Sequence, residues 1–243
     1  MTNAYVKNYY DLFAASPIRH IVANAWAFGT PAVTGTPNYS FFSICEIRIG
    51  GAAILDNHKD ADHCYFILSG KGWSFINGKR YEYNAGDVMW IPGNSDHEMY
   101  PTGVQTLKFT VSLTAKDFNQ TEPFIRSLMN VKPIISSVDV GVTYWPMATP
   151  QMVPISSNTI DFHIVEILPG KKISSVITEE SEQYSYIISG CGYAVVNGEK
   201  LALTPEDGLY VPAGAACEIV NDGAGVLRFQ QTFGPARFSV RAR

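Results

Sequence analysis

Three histidines of this chain, His58, His63 and His97, are of a residue type and spacing that could bind a metal ion. Neutral imidazole is a common ligand of iron, manganese, zinc, nickel and copper. Three converging rings therefore favour a transition metal over Ca²⁺ or Mg²⁺. The other two histidines, His20 and His163, lie outside this group, and a structural or exposed role is the simpler interpretation for each of them.

An internal repeat makes the three positions informative. Residues 46–109 align with residues 166–229 at a constant offset of 120 residues, without a gap. Turn residues and glycines agree between the copies: Gly70 with Gly190, Asn77-Gly78 with Asn197-Gly198, Asp87 with Asp207, and Pro92 with Pro212. The histidines do not agree, and the second copy has Thr178, Gln183 and Cys217 in their places. Shared residues indicate what the backbone needs, so function is sought where the copies differ.

The elements around these residues are predicted to be short β-strands. β-branched and aromatic segments alternate with turn residues, and the two Asn-Gly pairs are typical of hairpins with a type I′ turn. This pattern predicts an all-β sandwich or barrel. Two short helices are expected over residues 3–14 and 121–129, the second with Thr121 as its cap and Pro123 in its first turn.

Composition limits the possible functions. The 243 residues have a formal net charge of −4 and 46% hydrophobic residues. A nucleic-acid partner is not expected, because the only concentration of basic residues is the short tail Arg237, Arg241 and Arg243, which is expected to be solvated. The first residues do not have the pattern of a signal peptide, and no apolar run approaches the roughly 20 residues of a membrane helix.

Four cysteines without a CxxC spacing are typical of small buried side chains in a reducing compartment. We therefore expect a cytoplasmic protein without a membrane partner.

Two motifs in the first copy resemble those of the cupin family. The first consists of Asp56-Asn57-His58, then His63, then Gly70; the second runs from Gly86 to Pro92 and ends with His97. The second copy keeps the glycine and proline frame without the histidines, so the chain resembles a bicupin. The resemblance implies an all-β fold of two tandem cupin barrels, of the double-stranded β-helix or jelly-roll type. The implied division is an N-terminal domain over residues 1–114, a linker helix over 115–130, and a degenerate metal-free domain over 131–243.

The resemblance also implies a metal site at the mouth of the first barrel, with departures from the usual pattern. Asp56 stands where the family has its first histidine, and His63 stands where it has glutamate. The implied ligands are His58, His63 and His97, with Asp56 either as a fourth ligand or as an acid that orients a ligand imidazole. Asp62 is a rival for the acid position, but strand alternation points it away from His63. A similar acid-x-His arrangement occurs in ureidoglycine aminohydrolase-type bicupins, which use manganese.

The first hypothesis for function is a metal-dependent enzyme that acts on a small polar or carboxylate-bearing molecule, with oxygenase or oxidoreductase chemistry favoured. Iron or manganese is the expected ion, and zinc, nickel and copper stay open. Arg48 could hold a substrate carboxylate or form an exposed ion pair with Glu46, and Tyr65 could offer a phenol. The alternatives are an aminohydrolase, lyase or isomerase of the bicupin type, and a non-catalytic small-ligand-binding cupin. A homodimer is expected.

Overall fold

The structure is a computed structural model that describes residues 3–14, 21–30, 39–115, 122–150, 161–177 and 181–234. These residues are almost entirely β-strand, and their helical structure is limited to two three-residue 3₁₀ turns, Tyr9–Asp11 and Leu128–Asn130. No helix in this part of the chain is long and apolar enough to cross a membrane. The chain divides into two compact units. We call Leu12–Asn130 the N-terminal unit, and Met1–Asp11 together with Val131–Arg243 the C-terminal unit.

The described part of the N-terminal unit contains nine strands. They are β2 (Ile21–Gly29), β3 (Tyr39–Asp56), β4 (Ala61–Ser69), β5 (Lys71–Ile76), β6 (Lys79–Asn84), β7 (Asp87–Ile91), β8 (His97–Thr102), β9 (Leu107–Ala115) and β10 (Phe124–Ser127). They pair in the order β10-β7-β4-β9-β3-β8-β5-β6, with β2 added to β3. The long strand β3 pairs with β9 along its first half and with β8 near its end, so it carries the chain from one face of the barrel to the other.

The C-terminal unit has the same architecture in two sheets. Its described strands are β1 (Tyr5–Asn8), β11 (Ile134–Ile135), β12 (Val142–Ala148), β13 (Asp161–Ile167), β14 (Lys172–Val176), β15 (Glu182–Ser189), β16 (Gly192–Val196), β17 (Glu199–Leu203), β18 (Asp207–Val211), β19 (Ala216–Val220) and β20 (Leu227–Gly234). The seven-stranded sheet has the order β1-β18-β15-β20-β13-β12-β11, and the four-stranded sheet has the order β14-β19-β16-β17. Apolar side chains from both sheets form one core between them. The all-β fold of two jelly-roll barrels is thus confirmed.

The residues that the two copies share are those that the backbone requires. Gly70 and Gly190 both have positive φ, +81° and +82°, and an added Cβ would lie 2.9 Å and 2.4 Å from the carbonyl oxygens of Thr106 and Val226. Any larger residue at these positions would clash with the backbone at the start of β9 or of β20. Each Asn-Gly hairpin also has positive φ at both central residues, as a type I′ turn needs.

The two helices expected from the sequence are wrong for most of their length. β1 and β10 occupy the first part of these segments, and only the two 3₁₀ turns that follow them are helical. β1 pairs with the edge of β18, and β10 pairs with the edge of β7. An edge strand offers unpaired backbone groups, and pairing with it outweighs a weak local preference for helix. Thr121, the expected helix cap, lies outside the described residues.

This pairing also changes the domain boundaries. The N-terminal unit ends at Asn130 and includes β10 and the 3₁₀ turn Leu128–Asn130, both within the segment expected as a linker helix, of which residues 116–121 lie outside the described residues. The first eleven residues belong with the C-terminal unit, because β1 extends its seven-stranded sheet.

Candidate metal centre

Three neighbouring elements of the N-terminal unit bring the motif residues together. The end of β3 pairs with the start of β8, which sets Asp56 directly opposite His97. His58 follows in the turn after β3, and a 2.8 Å backbone hydrogen bond from the Asn94 amide to the His58 carbonyl ties this turn to the loop before β8. His63 lies on β4.

The three imidazole rings face a common space. The ring centres of His58 and His63 are 4.5 Å apart, those of His63 and His97 are 4.7 Å apart, and those of His58 and His97 are 6.1 Å apart. A point equidistant from the three centres lies about 3.1 Å from each. An imidazole whose nitrogen is bonded to zinc at about 2.0–2.1 Å has its ring centre at a similar distance from the metal.

His63 is the most unusual of the three because it is buried without hydrogen-bond partners. Its side chain is 1% exposed, and neither Nδ1 nor Nε2 has a partner. Burial, followed by the neighbouring rings of His97 and His58, holds the pKa of His63 well below its usual value. The ring is therefore neutral at pH 7, the protonation state that a metal ligand needs. An unpaired buried nitrogen costs about 1–3 kcal/mol, so the position is costly unless something binds there.

His97 is held in the orientation that a ligand requires. Its Nδ1 donates a 2.9 Å hydrogen bond to the backbone carbonyl of Ser95, which leaves the lone pair on Nε2 directed into the site. The Tyr65 hydroxyl lies 3.4 Å from that Nε2, and the Tyr65 ring stacks on His63 with a centre distance of 5.5 Å. Burial raises the pKa of Tyr65 well above its usual value, so the phenol keeps its proton at neutral pH.

Asp56 contributes negative charge beside the imidazoles. Its Oδ2 lies 3.1 Å from His58 Nε2, and its Oδ1 accepts a hydrogen bond from the Asn57 amide. The hydrogen bond with His58 is the largest cause of a pKa well below the usual range for the Asp56 carboxyl. Asp62, the rival acid, lies elsewhere: it is buried, and its Oδ1 accepts a 2.6 Å hydrogen bond from the Gly93 amide.

A cavity of about 280 Å³ opens beside the histidines. Its polar residues are Asn24, Cys45, Glu46, Asp56, His58, His63, Tyr65 and His97. The remaining wall is apolar and consists of Ala23, Ala25, Ile47, Ala53, Met99, Phe109, Val111 and Leu113. This wall could have been found from the alternation of apolar residues on β9, but Cys45 and the orienting carbonyl of Ser95 have no comparable signal in the sequence.

Arg48 does not reach this cavity. The side chain is exposed, and Arg48 is absent from the residues that line the site. Three consecutive residues of β3, Cys45, Glu46 and Ile47, do line the cavity, and Arg48 is the first residue beyond them. The interpretation of Arg48 as the group that holds a substrate carboxylate is therefore wrong, whereas Tyr65 lies inside the cavity as expected.

His58, His63, His97 and Asp56 suit a transition metal by the chemistry of their donor atoms and by the spacing of the rings. Their donor atoms do not all point to one position. Among the residues that the structure describes, no group of three or more His, Cys, Asp or Glu side chains is arranged to hold a metal ion as it stands. His58 Nε2 lies 3.1 Å from Asp56 Oδ2. The His58 side chain is 41% exposed, so a change of rotamer is cheap. The unpaired nitrogens of His63 and the directed lone pair of His97 are the observations that favour an ion.

The second copy has no equivalent group among its described residues. Gln183 and Cys217 stand where His63 and His97 stand in the first copy, and both are buried in the C-terminal unit. Thr178, the counterpart of His58, lies outside the described residues. An amide and a thiol thus take the places of two imidazoles in this barrel.

Comparison with known proteins agrees with this fold. The cupin domain model matches residues 43–113 and again residues 163–232, which together are more than half of the chain. The chain therefore belongs to the cupin family, as a tandem cupin. A curated relative, an uncharacterized protein of Methanocaldococcus jannaschii, is 27% identical over 62 residues, which are 26% of this chain and 50% of that protein. The match thus extends over about half the length of that relative.

Solved structures show the same two-barrel architecture at low sequence identity. A putative glyoxylate-induced protein from Pseudomonas aeruginosa has a TM-score of 0.80 at 15% identity and covers 99% of this chain and 91% of its own. The E. coli protein YlbA has a TM-score of 0.79 at 13% identity and covers 98% and 94%. Oxalate decarboxylase from Bacillus subtilis, studied for its Mn(II) centres, has a TM-score of 0.76 at 15% identity and covers 96% and 78%. At these identities the likeness establishes the fold.

Proposed function

We propose that the N-terminal unit is a metal-dependent cupin enzyme that acts on a small molecule by oxygenase or other oxidoreductase chemistry. One observation carries the proposal. His63 is a neutral, fully buried imidazole with two unpaired nitrogens, and it faces two further imidazoles beside a cavity. Buried polar groups of this kind are normally paired, so a ligand is the simplest partner for them.

His58, His63 and His97 would hold the ion, and Asp56 would act either as a fourth ligand or as the acid that orients His58. Their nitrogen-rich donor set suits iron or manganese, and zinc, nickel and copper also accept imidazole. A redox-active ion bound there would supply dioxygen activation and would polarise a substrate oxygen.

The side chains around the histidines have distinct supporting roles. The Ser95 carbonyl keeps His97 in the tautomer whose Nε2 carries the lone pair that a metal ion would accept. Tyr65 keeps its proton because it is buried, so its hydroxyl is a hydrogen-bond donor for an oxygen of the substrate. The negative charge of Asp56 offsets part of the charge of the ion, which lowers the cost of holding a cation in a partly buried site.

The cavity indicates the kind of substrate. Its volume of about 280 Å³ corresponds to roughly nine water molecules, which admits a small molecule only. The polar groups lie beside the imidazoles, and most of the remaining wall is apolar. No Lys or Arg is among the described lining residues, so a substrate carboxylate would have to bind at the ion itself. We therefore propose a substrate with one polar, metal-binding end and an apolar body.

Hydrolysis, lysis or isomerisation by the same centre is the second candidate. The contact between Asp56 and His58 favours it, because a carboxylate hydrogen-bonded to an imidazole can orient that ring for proton transfer to or from a substrate. Aminohydrolase, lyase and isomerase chemistry would each use this pair without consuming dioxygen.

Metal analysis and oxygen uptake test the proposal. Freshly purified protein should contain close to one transition-metal ion per chain, and His63→Gln should lose most of it. Gln is a suitable replacement because Gln183 is fully buried at the same position of the second copy. His163→Ala in the C-terminal unit is the matched control and should keep the metal.

A screen of small substrates should then show substrate-dependent oxygen uptake. Turnover without oxygen uptake would replace oxygenation by the second candidate. A folded protein that takes up no metal from Fe(II) or Mn(II) solutions would overturn both and would leave a non-catalytic binding role.

Two further expectations stay predictions. A homodimer is expected because barrel edges pair readily, and sedimentation of the purified chain would test it. A cytoplasmic location is expected from the free cysteines, and fractionation of cells would test it.

A further inference from the structure

The C-terminal unit has its own group of polar side chains inside the barrel. β13, β20 and β15 are neighbours in the seven-stranded sheet, and their register sets residues in two rows. One row contains His163, Gln231 and Ser185, and the other contains Asp161, Phe233 and Gln183. We call the five polar members, Asp161, His163, Gln183, Ser185 and Gln231, the inner polar patch.

Strand alternation places the patch on the inside of the barrel. Val165, Ile187 and Phe229 each lie two residues away from a patch residue on β13, β15 and β20, so they share its face of the strand. All three belong to the core of this unit. Phe233, within the second row, belongs to that core as well. The patch is therefore a polar region at one end of an otherwise apolar interior.

Three atoms of the patch lack hydrogen-bond partners. Asp161 is 1% exposed and Gln183 is 0% exposed, yet Asp161 Oδ2, His163 Nδ1 and Gln183 Oε1 are buried and unpaired. Gln183 uses only its Nε2, which donates a 2.8 Å hydrogen bond to Ser185 Oγ. Turning the amide round would pair its oxygen and leave its nitrogen unpaired, so one end lacks a partner in either orientation.

The first copy shows that the fold does not need these polar groups. At the same offset of 120 residues, Phe41 corresponds to Asp161, Ser43 to His163 and Val111 to Gln231. The N-terminal unit is thus built on the same strands with two of these three positions apolar. Unpaired buried polar atoms destabilise a fold. Asp161 Oδ2 is such an atom at a position where the sister barrel has Phe41, so it indicates a missing ligand rather than a structural requirement.

The chemistry of the patch defines the ligand class. His163 Nε2 lies 2.5 Å from Asp161 Oδ1, and since a carboxylate only accepts hydrogen bonds, Nε2 carries the proton. This leaves Asp161 Oδ2 as a charged acceptor, with the Gln183 carbonyl as a second acceptor. We propose that the inner polar patch binds a small organic cation with N–H donors, of the ammonium or amidinium class, without a metal ion. This site is separate from the imidazoles of the N-terminal unit.

Binding of simple cations to the intact chain tests this assignment. The probes are acetamidinium chloride and ethylammonium chloride, with acetamide and sodium acetate as neutral and anionic counterparts at equal ionic strength. Saturation-transfer NMR detects binding, and the melting temperature reports stabilisation. We expect both cations to bind and to raise the melting temperature, and we expect no effect from acetamide or acetate.

Two variants locate the binding. Asp161→Asn keeps the shape of the side chain and removes its charge, so cation affinity should fall at least tenfold. His163→Ser introduces the residue of the first copy and should also weaken binding, and it decides the question if Asp161→Asn does not fold. His63→Gln, in the other unit, is the control and should bind the cations as the wild type does.

Several results would overturn the assignment. Both cations could fail to bind to the wild type at tens of millimolar, or acetamide could bind as well as they do. A folded Asp161→Asn or His163→Ser variant could bind the cations as the wild type does, or His63→Gln could lose cation binding. A crystal structure grown with acetamidinium, in which ordered water alone pairs the three atoms, would also overturn it.

Discussion

Replacing His63 by Leu should stabilise the metal-free protein and abolish its response to metal. Leu has nearly the size of His and no polar atoms, so the variant removes two unpaired nitrogens from a position that is 1% exposed. Without metal, the wild type bears the cost of these nitrogens. With metal, the wild type gains binding energy that the variant cannot gain, so the order of stabilities should reverse.

The magnitude follows from the two nitrogens. At the low end of about 1–3 kcal/mol for each unpaired buried group, the variant should be more stable than the metal-free wild type by about 2 kcal/mol. For chains of this size, 1 kcal/mol corresponds to about 2–4 °C in melting temperature, so the expected rise is about 4–8 °C. Metal at a hundred times its dissociation constant should stabilise the wild type by about 2.7 kcal/mol, which is a rise of about 5–10 °C.

Differential scanning calorimetry with and without Mn(II) measures both effects. The matched control is Gln183→Leu, which makes a similar change at the equivalent position of the second copy. This control should keep the full rise in melting temperature that metal causes in the wild type. A His63→Leu variant that melts below the metal-free wild type, or that responds to Mn(II) as the wild type does, would refute the reasoning from the unpaired nitrogens.

Three further predictions follow from the structure. His97→Ala should lose most of the bound metal, whereas Cys217→Ala, at the equivalent position of the second copy, should not change metal content by mass spectrometry. Tyr65→Phe should keep the metal and lower kcat/KM about tenfold to a hundredfold, because one hydrogen bond to the reacting group is lost. Gly190→Ala should lower the free energy of unfolding in urea by about 3 kcal/mol, against about 1 kcal/mol for Gly198→Ala, where a Cβ meets nothing within 4 Å.

Each of these predictions has a contrary result. Unchanged metal in His97→Ala, or loss of metal in Cys217→Ala, would move the ion out of the N-terminal barrel. A Tyr65→Phe enzyme with wild-type kcat/KM would remove the phenol from the mechanism. Equal destabilisation by Gly190→Ala and Gly198→Ala would show that backbone conformation, and not the clash with Val226, accounts for the shared glycine.

Much of the fold could be predicted from the repeat. The hairpins at Asn77-Gly78 and Asn197-Gly198 are local features, because positive φ at two successive residues depends on those residues alone. The segments at residues 3–14 and 121–129 could not be predicted in the same way. Their structure depends on which strand edge is free to pair with them, and that edge lies far away along the chain.

The candidate site could also be predicted only in part from the sequence. His58, His63 and His97 were found because the second copy differs from the first at their positions. Arg48 was wrong because strand alternation puts it on the same face as Glu46 but does not say how far along β3 the cavity extends. The Ser95 carbonyl had no signal at all, because a backbone atom has no residue type by which to recognise it.

The sequence alone determined that this protein is a duplicated β-barrel with three histidines at the motif positions of one copy, because turns, glycines and strand periodicity are local features that occur in both copies. Only the tertiary structure decided that the three rings lie 4.5–6.1 Å apart around one space and that the His63 nitrogens have no hydrogen-bond partner. It also decided that a second group of polar side chains lies inside the other barrel. Burial and unmet hydrogen bonds depend on atoms from distant strands, so they exist only once the strands have paired.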